Sequence, residues 1–387
     1  HKIEEELKDI LKIISEFEKL LGDPKEIIET VRRELLELKA RFADERKTKV
    51  VKGKIGELSD EDLVAEEQCI ITISDSGYIK RLKLDTYKKQ GRGGKGVKGQ
   101  ELKDEDIVST IRTCNTHDYA FFFTNKGKVY KMRVWEIPES SRRAKGTALV
   151  NFLNISQDEK VQAFLSMDNQ TLEEASGYIV FATEKGIIKK TSMADYANIR
   201  TSGITAIKLT EGDNLTWARI STGSDEIIMI TASGQSIRFS EKDVRSMGRV
   251  AAGVTGVKMR DKNDFLVGMV VVSPKEKGIE LAVVSERGYG KKTKLEEYRL
   301  QNRGGSGIRT YKVTEKTGTL VNARVHTDTE ISDLLIVTTL GNVIRLGSNE
   351  IPSLGRDTSG VRLIKLDSKD KVASVAEVLE EGDEEES

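Results

Sequence analysis

Basic residues recur at fixed distances from glycines along this chain. Six glycines at steps of 48 to 59 residues are each followed, four positions later, by a lysine or an arginine. These turn glycines are Gly77, Gly127, Gly186, Gly234, Gly288 and Gly341. The first basic column consists of Arg81, Lys131, Lys190, Arg238, Lys292 and Arg345. Positive charge repeated on one surface would bind a polyanion, although a single basic residue on a strand also protects a sheet edge from aggregation.

A second glycine follows each turn glycine by 19 residues in five copies and by 17 in the third. This second set is Gly96, Gly146, Gly203, Gly253, Gly307 and Gly360. Four residues before each lies the second basic column, Arg92, Arg142, Arg249, Arg303 and Arg356, with Ile199 in the third copy. Lys88, Lys89, Arg143 and Lys145 add charge beside it. Two columns around one rim predict a basic belt that would bind a polyanion.

The segment QGRGGKG contains a formal GxGxxG pattern. Its residues are Gln90, Gly91, Arg92, Gly93, Gly94, Lys95 and Gly96. A dinucleotide site needs an apolar strand before this pattern and a helix after it, whereas the flanking sequences LDTYKK and VKGQELKDED are polar. A phosphate-binding Walker loop needs Ser or Thr after the lysine, and Gly96 stands there. The segment is therefore interpreted as a flexible loop whose backbone N–H groups approach phosphates, with Arg92 and Lys95 supplying charge.

The elements that must position these residues are β-strands. Short, nearly continuous apolar runs such as YAFFFT (119–124) and EIIMIT (226–231) precede the turn glycines, as expected for strands buried on both faces. A repeat of about 50 residues holds about four strands with their loops. The sequence therefore predicts a mainly β fold with six blades over residues 49–376.

Two segments flank this β region. In residues 1–48, apolar residues at alternating steps of four and three predict a helical hairpin, with Asp23 as the N-cap of the second helix and Pro24 as its first residue. Residues 377–387 carry seven acidic and no basic residues and are predicted to be a disordered tail. The zero net charge thus conceals a β region with 52 basic and 43 acidic residues.

Other features argue against several classes of protein. The sequence has neither an apolar run near 18 residues nor a signal peptide, so we expect no membrane contact. Cys69 and Cys114 have no CxxC spacing, which favours inert thiols in a cytoplasmic protein over a disulfide or a metal site. No Ser/His/Asp grouping or paired acids recur at repeat ends, so an enzyme is the least favoured class.

At QGRGGKG the chain resembles a known family. The segment is similar to the GyrA box, the heptapeptide Q-R-R-G-G-K-G of the C-terminal domain of the DNA gyrase A subunit, and SSRRAKG, QNRGGSG and LGRDTSG are degenerate counterparts. Residues 23–48 are similar to the segment that joins the gyrase coiled-coil arm to this domain. Gly91 stands where the family usually has arginine. The cleavage tyrosine's R-Y-T setting occurs at none of the nine tyrosines.

The resemblance implies a six-bladed β-pinwheel, a propeller-like disc of four-stranded Greek-key blades after a helical hairpin. It implies sequence-independent binding of double-stranded DNA and its positive, right-handed wrapping around the basic rim. This would enable negative supercoiling by the holoenzyme, with the B subunit of gyrase and the rest of its A subunit as partners. The fragment itself would be non-catalytic, monomeric and without cofactor, because ATP and Mg are expected only in the holoenzyme.

Two alternatives remain open. The equivalent domain of topoisomerase IV usually lacks an intact box and has fewer or degenerate blades, whereas six repeats are recognisable here. A protein-interaction β-propeller would repeat an apolar or aromatic surface patch, whereas arginine and lysine are what this chain repeats.

Overall fold

The computed structural model describes residues 2–43, 63–74, 76–83, 108–141, 144–156, 158–327, 332–340, 342–367 and 369–379. The chain divides into two compact units, His1–Ser59 and Asp60–Ser387. None of the described helices is long and apolar enough to cross a membrane.

The first unit is a helical hairpin, as predicted. Helix α1 spans Lys2–Gly22 and helix α2 spans Pro24–Phe42, and the two contact each other. The Asp23 carboxylate accepts a hydrogen bond of 2.9 Å from the Lys25 N–H, so the predicted N-cap is confirmed. Neither helix has a buried residue among those described. The apolar seam, including Leu7 and Leu35, is therefore exposed.

The second unit is built from six antiparallel sheets among the described residues, which confirms the prediction of a six-bladed, mainly β fold. Strands of the first three repeats are β1 Gln68–Ser74, β2 Tyr78–Lys83, β3 Val108–Asn115, β4 Tyr119–Thr124, β5 Lys128–Arg133, β6 Thr147–Ala148, β7 Val161–Met167, β8 Tyr178–Thr183, β9 Ile187–Ser192, β10 Ile204–Thr205 and β11 Leu215–Ser221. A short helix α3, Asn169–Glu174, follows β7.

The last three repeats continue the same order of elements. Their strands are β12 Glu226–Thr231, β13 Gln235–Ser240, β14 Val254–Thr255, β15 Leu266–Val272, β16 Ile279–Ser285, β17 Tyr289–Lys294, β18 Ile308–Arg309, β19 Leu320–Thr327, β20 Ser332–Thr338, β21 Val343–Gly347, β22 Val361–Arg362 and β23 Val372–Leu379. In each repeat the first two long strands form a hairpin, and the third long strand pairs with the other side of the first.

Each of five sheets gains its fourth strand from the following repeat. The two-residue strand β6 pairs with β2, and in the same way β10, β14, β18 and β22 pair with the second strand of the preceding sheet. The predicted count of four strands per blade is therefore confirmed for these five, but one strand of each blade is donated by the neighbouring repeat.

The third long strands form the inner wall of the unit. β3, β7, β11, β15, β19 and β23 each contact the next in this order, and β23 contacts β3, so they make a closed ring. They line a central channel of about 570 Å³. The core lies between adjacent sheets: Phe121, Phe122 and Phe123 of β4 are all fully buried, because successive side chains point into the interfaces on opposite faces. This confirms that the apolar runs are strands buried on both faces.

The repeats alternate in chemistry. The difference lies at one position of the inner strands, opposite the first-strand residue that also pairs with the first basic column. Odd repeats have an arginine at this position: Arg112, Arg219 and Arg324. Even repeats have an apolar residue: Leu165, Val270 and Ala376. The three arginines line the central channel. Three two-repeat units therefore describe the sequence of the ring better than six equal ones.

One predicted boundary differs from the structure. The sequence predicts that the acidic tail begins at residue 377, but β23 continues to Leu379, which pairs with Ser332. The strand extends because β20, its partner, begins at Ser332 and supplies hydrogen-bonding groups as far as that residue. Residues 380–387 lie outside the described residues.

Candidate nucleic-acid interface

The residues of the first basic column lie on the second strand of each sheet at one register. Arg81 is opposite Ile71, Lys190 opposite Val180 and Lys292 opposite Ala282. In four repeats the backbone at this position also forms a parallel bridge with the next repeat, Arg81 with Glu139, Lys190 with Ser246, Arg238 with Leu300 and Lys292 with Ser353. The column therefore marks the place where each long crossover segment meets the preceding sheet.

The side chains of this column are held by partners within the chain. Four have a carboxylate: Arg81 lies 3.9 Å from Glu139, Lys190 3.4 Å from Glu241 and Lys292 3.0 Å from Glu280, and Arg238 Nε donates to Glu226 at 2.7 Å. The side chains of Lys190 and Lys292 are only 7% and 10% exposed. Such pairs are largely removed from water, so their charge is compensated before any ligand approaches.

The other two residues of the column are placed similarly. Lys131 Nζ donates to the carbonyl of Ala197 at 2.6 Å and lies 4.8 Å from the centre of the Tyr119 ring. Burial, with a smaller effect of nearby Arg133, lowers the Lys131 pKa. Arg345 is half-buried. We therefore interpret the four ion-paired residues of the first column as holding the sheets and crossover segments and not as DNA contacts, contrary to the expectation from spacing alone. Lys131 and Arg345 remain predicted DNA contacts.

The crossover segments form a second structure, which we call the rim loops. They comprise residues 139–141 with 144–151, 197–208, 246–258, 300–312 and 353–365, each containing a second glycine and a donated strand. The second glycine is required where the loop passes the preceding sheet. Gly253 has a φ of +95°, and a Cβ there would lie 2.6 Å from the Ile188 carbonyl oxygen. Gly146 is equivalent, with a φ of +89° and a Cβ position 2.6 Å from the Ile79 carbonyl oxygen.

Four consecutive rim loops are hydrogen-bonded edge to edge. Lys208 N–H donates to Ala251 at 3.2 Å, Lys258 N–H to Gly305 at 2.9 Å and Lys312 N–H to Thr358 at 3.0 Å. Each bond joins one loop to the next. The segments that carry the second basic column therefore follow one another along a continuous edge of the unit.

The described arginines of the second column lie on this edge. Arg249, Arg303 and Arg356 are half-buried. Arg303 donates from Nε to the Asp243 carbonyl and from Nη1 to the Thr255 carbonyl, both at 2.9 Å. Arg356 Nη1 donates to the Arg309 carbonyl at 3.1 Å. Carbonyl partners orient a guanidinium without neutralising it, so these side chains keep their positive charge at the edge.

The structure reveals a third basic column that sequence reasoning missed. Lys208, Lys258, Lys312 and Lys365 each follow a second glycine by five residues, and all four are exposed. Arg200, Arg245, Arg299 and Lys145 are exposed in or beside the rim loops. Constant spacing is the signal that could have found the column, but Glu101 and Asn151 interrupt it in the first two copies.

Three fully or nearly buried lysines fix the rim loops from beneath. We call Lys80, Lys189 and Lys291 the anchor lysines. Each stands three residues after the turn glycine of an odd repeat. At the same position the even repeats have Tyr130, Ile237 and Ile344. Lys80 Nζ donates to Ala144 at 2.7 Å, Lys189 Nζ to Arg249 at 2.5 Å and Lys291 Nζ to Gly355 and Arg356 at 2.6 Å. All these acceptors are main-chain carbonyls of the next repeat's rim loop.

Burial has a clear electrostatic consequence for the anchor lysines. Desolvation lowers the pKa of Lys189 and of Lys291 to about 8, and it also lowers that of Lys80. The ammonium form persists near neutral pH because several carbonyl oxygens replace the lost water. The rim loops of repeats two, four and six are thus held by a charged group that solvent does not reach.

Several predicted contacts lie outside the described residues. These are Lys88, Lys89, Gln90, Gly91, Arg92, Gly93, Gly94, Lys95, Gly96, Arg142 and Arg143. Across the part of the chain that the structure describes, no group of three or more His, Cys, Asp and Glu side chains could hold a metal ion.

The repeats, the donated strands and the closed inner ring define a six-bladed β-propeller. The family model of the DNA gyrase C-terminal domain, beta-propeller, matches residues 70–115, 118–166, 177–222, 225–273, 280–327 and 332–378. These segments cover most of the chain and coincide with the six repeats, so the chain belongs to the DNA gyrase C-terminal domain family.

Related proteins and structures agree with this assignment. The DNA gyrase A subunit of Staphylococcus epidermidis (strain ATCC 12228) is 44% identical over 382 residues, covering 99% of this chain and 42% of that protein. The DNA gyrase A subunit of Staphylococcus aureus (strain MRSA252) is 42% identical over 384 residues, with 99% and 43% covered. The chain thus spans less than half the length of these relatives.

Two solved structures share the fold. The structure of a DNA gyrase A C-terminal domain superposes with a TM-score of 0.68 and 28% identity, covering 80% of this chain and 99% of that one. The C-terminal domain of a DNA topoisomerase IV gives a TM-score of 0.65 and 26% identity, covering 82% and 94%.

Proposed function

We propose that this chain is the DNA-wrapping part of a gyrase A subunit. It binds double-stranded DNA without sequence preference and bends it as a positive, right-handed turn along the rim loops. The observation that supports this most strongly is the edge-to-edge bonding of four consecutive rim loops, each with a basic residue at the same place. A continuous cationic edge matches the regular charge of a DNA backbone.

The energies are compatible with wrapping. Bending about 40 bp through a half-turn costs about 10 kcal/mol. Each phosphate neutralised releases about 0.9 counterion, worth about 1.2 kcal/mol near 0.1 M salt. About ten contacts therefore offset the bend. The third column, the other exposed cations and the second-column arginines together supply this number without the four ion-paired residues of the first column.

The chain acts on DNA shape and carries no chemistry of its own in this proposal. Strand cleavage, ATP and Mg belong to the B subunit of gyrase and to the remainder of its A subunit, which are the partners of this chain in the cytoplasm. Wrapping would present one DNA segment to another in a fixed sense, so that strand passage by the complete enzyme introduces negative supercoils.

A topological assay tests the proposal. The fragment is incubated with relaxed plasmid and a relaxing topoisomerase, and the linking number is measured after the protein is removed. A positive shift proportional to the amount of protein supports wrapping. If the linking number does not change at low salt although the DNA is bound, the chain binds DNA electrostatically without wrapping it, and the proposal is overturned.

Matched variants assign the shift to the rim. Replacing Lys258 and Lys312 with Gln should reduce it, whereas replacing Lys275 and Lys277, exposed in the turn between β15 and β16, should leave it unchanged. Replacing Arg92 and Lys95 with Ala should abolish the shift while much of the affinity for linear DNA remains. An unchanged linking-number shift in that variant would show that the segment Gln90–Gly96 is not needed for wrapping.

A further inference from the structure

The two cysteines of the chain meet inside the first sheet. Cys69 on β1 is paired directly with Cys114 on β3, and both are buried. Their sulfur atoms are 3.8 Å apart, and the Cys69 thiol lies 3.4 Å from the Cys114 carbonyl oxygen. Spacing along the sequence suggests two unrelated inert thiols, because 44 residues separate them.

We propose that Cys69 and Cys114 form a reversible dithiol–disulfide site, oxidised by a peroxide. Residues directly opposite each other on antiparallel strands have Cα atoms about 4.5–5.5 Å apart, within the range of about 4.4–6.8 Å found in disulfides. Closing the S–S bond requires the sulfurs to approach by roughly 1.8 Å from 3.8 Å, which side-chain rotation supplies without moving the strands.

The two thiols are coupled to each other. The hydrogen bond between them, with a smaller effect from the nearby Arg81 charge, lowers the Cys69 pKa against the effect of burial. The same hydrogen bond and burial raise the Cys114 pKa. Since this difference arises from the contact between the two sulfurs, either thiol can react first with the peroxide, and the other then closes the bond.

The reaction is balanced with hydrogen peroxide as the oxidant. When Cys69 reacts first, its thiolate attacks one peroxide oxygen, the O–O bond breaks, and the departing hydroxide takes up a proton to become water, leaving Cys69 as a sulfenic acid. The Cys114 sulfur then attacks the Cys69 sulfur, so the S–S bond forms and the S–O bond breaks. The hydroxide released takes the Cys114 proton as a second water. A small dithiol reverses the reaction by exchange.

The bond would close a loop through residues 70–113, which include Gln90–Gly96. Because both sulfurs are nearly inaccessible, oxidation proceeds only as fast as β1 and β3 separate locally. We expect a slow reaction and an oxidised protein whose Tm is several degrees higher, since a cross-link restricts the unfolded chain. An effect on DNA wrapping would follow only if the proposed function holds, whereas formation of the disulfide does not depend on that function.

Mass spectrometry under non-reducing conditions tests the site. The reduced chain is treated with hydrogen peroxide, free thiols are alkylated, and the protein is digested with trypsin. We expect an intact mass lower by about 2 Da, for the two hydrogens lost, and a linked pair of peptides covering residues 55–80 and 113–126 that dithiothreitol separates. Two alkylated thiols after prolonged treatment, in a chain that does cross-link when unfolded in urea, would overturn the proposal.

Single substitutions trap the sulfenic acid intermediate. Cys114→Ser leaves Cys69 without its partner, so dimedone should label Cys69 as a sulfenic acid. Cys69→Ser should likewise leave a sulfenic acid at Cys114 that dimedone labels. Absence of label in both variants, with unchanged thermal melting, would contradict the stepwise reaction. Gel filtration of the oxidised protein must show a monomer, because a disulfide-linked dimer would also overturn the intramolecular pair.

Discussion

The ammonium group of Lys291 lies 2.6 Å from the carbonyl oxygen of Arg356, across the junction of two successive repeats. This contact joins the interior of one sheet to the loop that carries a second-column arginine. The same relationship holds between Lys189 and Arg249. In these two repeats a buried cation therefore fixes the main chain from which a rim cation projects.

Replacing Lys291 with Met should lower the free energy of unfolding by about 1–3 kcal/mol, because the carbonyls of Gly355 and Arg356 lose the donor that fully buried Lys291 provides. Urea denaturation measures the change. Lys294→Met, at the exposed end of β17, is the matched control and should fall within about 0.5 kcal/mol of the native chain. Equal effects of the two variants would mean that the bonds from Lys291 to the rim loop do not stabilise the fold.

The anchor lysines also predict a pH dependence. The pKa of Lys189 and of Lys291 is about 8 in the folded chain against an ordinary value of 10.5. Between these values the unfolded chain binds more protons, so stability rises with pH, by at most about 1.4 kcal/mol per pH unit for each lysine. Below about pH 7 both states are protonated and the dependence disappears.

Comparing the native chain with a Lys189→Met/Lys291→Met variant isolates this effect from other titrating groups. The difference in unfolding free energy should grow in favour of the native chain between about pH 8 and 9.5. Measurements should stop there, because burial raises the pKa of Tyr130 to about 12 and tyrosines act in the opposite direction above about pH 10. A flat difference across that interval would contradict the shifted pKa values.

A double-mutant cycle tests the reinterpretation of the first basic column. Lys292→Met should destabilise the fold by about 3–5 kcal/mol, because it leaves the carboxylate of Glu280 buried without its partner 3.0 Å away. Adding Glu280→Met should restore much of the loss. The affinity of the folded variants for linear DNA should stay unchanged. A weaker affinity of the double variant would show that Lys292 contacts DNA and would contradict our interpretation.

Salt dependence counts the contacts of the third column. Lys258→Gln/Lys312→Gln should reduce the slope of log affinity against log salt concentration by about 2, since each lost phosphate contact lowers it by about 0.9. Filter binding or fluorescence anisotropy between about 50 and 200 mM salt measures it. The control variant Lys275→Gln/Lys277→Gln should keep the native slope, and a comparable decrease there would indicate nonspecific charge instead of a defined edge.

The second glycines provide a conformational test. Gly253→Ala should cost more than about 2 kcal/mol, because the residue has a φ of +95° and the new Cβ would lie 2.6 Å from the Ile188 carbonyl oxygen. Gly248→Ala, in the same loop with open space around it, should be neutral or slightly stabilising. Thermal melting of the two variants distinguishes them, and similar melting temperatures would contradict the close approach.

The repeats and the strands can be predicted from the sequence because both depend on local periodicity. Runs such as Phe121–Phe123 can be buried on two faces only between neighbouring sheets, and turn glycines mark the hairpins. The donated strands cannot be predicted in this way, because two residues such as Ile204 and Thr205 carry no pattern. Their pairing depends on the neighbouring repeat.

The roles of the basic residues cannot be read from spacing. Lys291 and Lys292 are adjacent, yet both are buried, each with a different partner. The carboxylates that compensate the first column come from different places: Glu280 is on a strand of the same sheet, whereas Glu139 lies in a crossover segment. No single spacing therefore reveals them, and a repeated charge looks the same in the sequence whether it faces solvent or a carboxylate.

Strand donation bears on how such a protein changes in evolution. Because β14 completes the sheet of β9, and β18 that of β13, every internal repeat gives one strand to its predecessor and accepts one from its successor. A duplicated or deleted pair of repeats, of about one hundred residues, keeps the alternation of odd and even repeats and leaves every donated strand with a sheet to complete. Recombination of such pairs can thus alter the circumference available to a ligand without a new kind of interface between repeats.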